Sequence, residues 1–86
     1  MKNTIYINYQ TKEVLDLDRV EKLPSNAILK ARPELWVEWD FKKNIKLCFD
    51  IWEMTRGSEK EAWWYCNDCG SDYDSMIKRK VKNVGC

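Results

Sequence analysis

The chain has 86 residues, 15 basic against 14 acidic, for a net charge of +1, with five tryptophans, four cysteines and no histidine. That length holds one domain with a marginal core, for which a staple is plausible. The balanced charge argues against strong sequence-independent DNA binding, and no apolar run approaches the roughly 20 residues of a membrane span.

In chain order, residues 4–9 alternate and are rich in β-formers, so they read as a strand. Residues 13–17 return as a second strand of an N-terminal hairpin, although Leu17, Val20 and Leu23 also fit one face of a short helix before Pro24. Ser25 or Asn26 is placed to cap a helical turn over 27–30. Pro33 suits the first position of a helix whose Leu35, Trp36 and Trp39 share a face. Residues 40–44 then form a charged loop, and the alternation across 46–52 predicts a strand. Residues 55–58 are a turn. Residues 61–65 and 72–77 pair as a hairpin whose tip carries Cys66-Asn67-Asp68-Cys69-Gly70, and 78–85 is basic and irregular. No internal repeat or low-complexity tract is present.

The tip carries the chemistry. A C-x-x-C turn points two sulfurs at one ion and curls backbone N–H groups toward them, and Gly70 supplies the backbone angles needed to leave the turn. Cys86 is a third possible ligand. Zinc needs four, and the last corner is open to Cys48, the carboxylate of Cys86, Asp68 or Asp72, water, or a partner chain. Against this stand a metal-free fold kept by tryptophan packing, and a redox pair, which would want a helix N-terminus after a βαβ strand. Cys48, between Leu47 and Phe49, reads as a small buried hydrophobe rather than a ligand. The basic cluster Lys78, Arg79, Lys80 and Lys82 either grips phosphates or is a solvated loop, with Asp68, Asp72 and Asp74 nearby to weaken a phosphate site. The acidic stretch Glu13, Asp16, Asp18 and Glu21 is either solvated or meets a basic partner. No general-base histidine, nucleophile triad or phosphate loop is present, so the expectation is a non-enzyme.

Pro33-Glu34-Leu35, Glu38-Trp39-Asp40, Lys43-Asn44, Gly57-Ser58, Lys60, Trp63-Trp64, Cys66 and Cys69-Gly70, followed by Tyr73, Ile77 and Gly85-Cys86, come in an order that resembles the zinc-ribbon domain family of bacteria and their phages. The resemblance covers about residues 28–86 and leaves 1–27 outside as a hairpin extension of a single domain, 1–86. It implies a small α+β fold of zinc-ribbon-like β-hairpins with a short helix, and a zinc site of Cys66, Cys69 and Cys86. It departs from the family at Ser71, where a histidine is usual, and at Tyr73, where a tryptophan is usual. The family's last cysteine falls just past Cys86. By the resemblance, Trp39, Trp63 and Trp64 are core, and either Trp36 or Trp52 is left to mark a contact surface. The family's company of nuclease-like domains points to nucleic-acid transactions, with DNA, RNA or a nucleic-acid-processing complex as partner. The alternative is a phage-type adaptor or inhibitor of a host protein. The expected setting is the cytoplasm, with no secretory signal, as a monomer or homodimer.

Overall fold

The structure is a computed structural model that describes residues 4–83. Its elements are α1 (Leu17–Glu21), α2 (Ile28–Ala31), α3 (Leu35–Glu38), α4 (Phe41–Lys46), a 3-10 turn (Ile51–Glu53), β1 (Glu61–Cys66), β2 (Ser71–Met76) and α5 (Ile77–Lys82). It is a small α+β fold around one two-stranded antiparallel sheet, with Trp64 opposite Tyr73 and Cys66 opposite Ser71.

β1 alternates strictly. Ala62, Trp64 and Cys66 point into the core, while Trp63 and Tyr65 are half-buried on the other face. At the centre Trp64 meets Trp39 edge to face, with ring centroids 5.3 Å apart and planes at 83°, and the Trp64 indole N–H donates to the Ser75 carbonyl. Leu15, Val20, Ile28, Leu29, Leu35, Ile51 and Ile77 complete the core around this pair. Leu15 and Val20 come from the N-terminal segment, which is therefore built into the core.

Several expectations are corrected. The N-terminal segment closes as a hairpin-like loop with a single bridge, Ile7 to Val14, and its return runs into α1 rather than a second strand. The Asp16 side chain, accepting from the N–H groups of Asp18 and Arg19, starts that helix. α2 forms where the helical turn was expected, but Ala27, not Ser25 or Asn26, stands at its start, without a side-chain cap. Its entry is held instead by Ile28 N–H on the Met54 carbonyl and Arg56 N–H on the Asn26 carbonyl.

Residues 40–44 are not a loop, and 46–52 is not a strand. Asp40 caps α4 by accepting the Lys43 N–H at 3.0 Å. The helix then ends in a Schellman motif, with Phe49 N–H on the Asn44 carbonyl and Cys48 N–H on the Ile45 carbonyl. Cys48 occupies the left-handed position usually given to glycine, at φ 59°. It is exposed, so its expected burial is corrected as well. Residues 78–82 belong to α5, whose first N–H groups are met by chain 58–60: Ile77 donates to the Lys60 carbonyl and Lys78 to that of Ser58. A nearby segment thus supplies acceptors that a helix start cannot supply for itself.

Among the tryptophans, Trp36 is buried and its indole N–H donates to the Glu13 carbonyl. Trp63 is half-buried outside the core, with the Lys43 ammonium 4.0 Å from its ring centroid, and Arg19 covers Trp52 at the same distance.

Candidate metal centre

β1 delivers Cys66 to the inner end of the hairpin, where it is 6% exposed. The chain then turns through Asn67 to Gly70. Cys69 N–H points at the Cys66 sulfur at 3.4 Å, and Gly70 N–H donates to the Cys66 carbonyl at 2.8 Å. Gly70 has φ 68° and open space where a Cβ would stand, so the backbone angle, not crowding, calls for glycine. An amide N–H directed at a sulfur stabilises its thiolate form, the form that ligates metal. Cys69 is exposed at the tip. Two soft donors on one tight turn, one backed by a backbone N–H, fit half of a tetrahedral zinc site.

Cys86 lies outside the described residues. Among the described residues, no group of three or more Cys, Asp or Glu converges. Cys48, Asp68 and Asp72 therefore do not join Cys66 and Cys69 to fill another corner. Cys48 ends α4, and Asp72 is engaged by Lys43 at 2.9 Å, a hydrogen bond that holds its carboxyl below the usual range.

The four basic residues of 78–82 separate. Lys78, Arg79 and Lys82 are exposed and, with Met76, line a shallow cavity. Lys78 also pairs with Glu59 at 2.9 Å, which lowers the Glu59 pKa. Lys80 departs from the expectation of a phosphate contact. It is 2% exposed, its ammonium donates to Glu38 at 2.7 Å and to the Tyr73 hydroxyl at 2.6 Å, and it lies 5.3 Å from the Trp64 ring centroid. An ammonium so enclosed is stable only with such partners, and they tie α5 to α3 across β2.

Two asparagines hold the scaffold behind the hairpin. Asn44, fully buried, accepts the Trp63 N–H at 2.9 Å and donates to the Trp63 carbonyl at 2.8 Å, so its amide pairs with β1 as a neighbouring strand would. Asn8, also fully buried, accepts from the N–H groups of Gln10 and Thr11 and donates to the carbonyls of Trp36 and Trp39, each at 2.8 Å. Sequence reasoning missed both roles, and no local pattern marks them. The burial of Lys80 had one faint signal: it lies three residues after Ile77, on the same face of a helix that was not expected.

A C-x-x-C turn at the tip of a β-hairpin, with a short helix following the second strand, is the arrangement of a zinc finger. The family model described as a probable treble clef zinc finger domain matches residues 35–86, and the chain belongs to that family. Zinc binding is what that membership implies. The expected zinc-ribbon family thus stands at the coarser level of a zinc-finger domain, under a different description. No curated protein and no solved structure matches the chain. Among the described residues, no helix is long and apolar enough to cross a membrane.

Proposed function

We propose that the chain is a non-enzymatic zinc-binding module in which Cys66, Cys69 and Cys86 hold the ion, and that it works in nucleic-acid transactions. The observation that carries the metal reading is the knuckle itself, with Cys69 N–H turned onto the Cys66 sulfur and left-handed Gly70 closing the turn. A bound zinc would supply structural cross-linking of the hairpin tip, and the chain's own residues do the rest. The inner face of α5, Ile77 and Lys80, fixes the helix against Trp64 and Tyr73. That orientation turns Lys78, Arg79 and Lys82 outward around one cavity, where they would meet phosphates.

Native mass spectrometry with and without a chelator tests the metal: one zinc per chain, lost on chelation, is expected, and an unchanged metal-free mass would end the reading. The phosphate role predicts steep salt dependence, with the slope of log affinity against log salt falling by about 0.9 for each duplex phosphate contact removed at Arg79 or Lys82. Undetectable affinity for DNA and RNA at ~50 mM salt would remove that role.

A second reading, a protein-binding adaptor, is favoured by large apolar side chains left in solvent: Ile5, Ile7 and Val14 on the N-terminal loop, and Ile45 and Leu47 at the end of α4.

A further inference from the structure

A second surface lies at the C-terminal end of α4, formed by residues that serve neither the knuckle nor the outer face of α5. Trp39, Phe41, Ile45, Cys48, Phe49 and Ile51 line a cavity of about 340 Å³, and Asp50 is the one charged lining residue among those described. Asp50 is already engaged, since its carboxylate accepts the Trp52 N–H at 3.0 Å and caps the 3-10 turn. The floor is firm, because Trp39 is locked against Trp64 and the loop over 47–49 is held by the Schellman bonds. The rim is apolar and solvent-facing: Ile45 is 73% exposed, and Leu47 beside it is 46% exposed.

Near this cavity three lysines outnumber the one lining carboxylate, that of Asp50. Lys42 and Lys46 are exposed on the helix that carries Ile45, and the Lys60 ammonium stands 5.6 Å from the Phe49 ring centroid. None of these three lysines is in an ion pair among the described residues. The volume is at the lower end of the ligand-pocket range of about 300–1,000 Å³, and the wall lacks the convergent polar groups that orient a small polar metabolite. An apolar hole rimmed by cations matches an apolar anchor carried among acidic residues. A two-fold contact with a second copy is a poor fit, because it would set the same lysines against themselves.

We propose that this cavity docks a protein segment that inserts one large apolar side chain, leucine or aromatic, flanked by aspartate or glutamate facing Lys42, Lys46 and Lys60. The proposal rests on the protein-binding reading above and names its site and the chemistry of its partner.

The test is selection of a randomised displayed peptide library on the zinc-supplemented full-length protein, followed by titration of the enriched peptides. The enriched peptides should share an apolar anchor in an acidic context. Their affinity should fall about tenfold or more for Ile45→Asp, as for loss of a central anchor contact, and by a smaller factor for Lys46→Glu. Ile45 is so exposed that its variant should fold, which circular dichroism checks. The peptides should also slow iodoacetamide alkylation at Cys48, read residue by residue by peptide mapping. Peptides that bind Ile45→Asp equally well and leave Cys48 unprotected would overturn this site while the adaptor reading survives. A library that yields no binder would defeat both. Protection of Cys48 by an oligonucleotide or by a small hydrophobic ligand, without peptide binding, would assign the cavity to that class instead and overturn the proposal.

Discussion

Two tight turns close this molecule, and each is organised by one side chain that accepts backbone N–H groups. At residues 8–13 the organiser is Asn8, whose amide oxygen takes two N–H groups while its nitrogen caps carbonyls at the end of α3. At residues 66–70 it is Cys66, whose sulfur takes the Cys69 N–H. An amide carries both donor and acceptor, so the first turn closes on protein groups alone. A thiolate is an acceptor only, and its charge still needs a cation. The contrast teaches that metal dependence should sit at the knuckle, with the 8–13 turn and much of the tryptophan core self-sufficient, although Tyr9 of that turn packs edge to face on Tyr65 beside Cys66, with centroids 6.3 Å apart.

Removing the sulfurs should have the largest effect. Structural zinc contributes on the order of 10 kcal/mol to the folding of small metal modules. The double variant Cys66→Ala, Cys69→Ala should therefore lose its zinc in native mass spectrometry and lose hydrogen-exchange protection across β1 and β2. A variant that kept one zinc per chain would break the comparison.

Lys80→Met comes next. It leaves Glu38 without its buried partner and should cost about 3 kcal/mol in urea unfolding. If Lys80 is an internal tie rather than a phosphate contact, zinc stoichiometry and the salt dependence of any nucleic-acid binding should not move.

Asn8→Ala sharpens the comparison from the other side. It removes the one acceptor shared by the Gln10 and Thr11 N–H groups and the donor to the Trp36 and Trp39 carbonyls, so a loss of about 2 kcal/mol is expected, with unchanged zinc binding. A fall in zinc affinity would show that the two turns are coupled.

The smallest effect should be a gain. Cys48→Gly relieves a left-handed non-glycine residue at the end of α4 and should stabilise the chain by roughly 1 kcal/mol, measured by urea unfolding. A loss would mean that the Cys48 side chain contributes packing that outweighs its backbone strain.

The sequence by itself determined the hairpin, because a period of two, a C-x-x-C turn and a following glycine are local signals. The observed strands differ from the expected ones by about a residue at their ends. It also determined the burial of Leu35 and Trp36 on a helix, but α3 starts at Leu35 rather than Pro33 and ends at Glu38, and Trp39 is buried as an extended residue bridged to Trp64. Other outcomes required distant partners. The alternation of Leu47, Phe49 and Ile51 imitates a strand, yet among the described residues no strand pairs with it. Asp40 and Asn44 secure a helix instead, because one caps it and the other bonds β1. Lys80 could be assigned inside only once Glu38, Tyr73 and Trp64 stood around it, and Asn8 only once the α3 carbonyls were in reach. Periodicity and capping act over a few residues and can be read along the chain. The burial of a charge or an amide is decided by whether groups 19–42 residues away supply hydrogen bonds to replace water, and that is settled only when the chain has closed on itself.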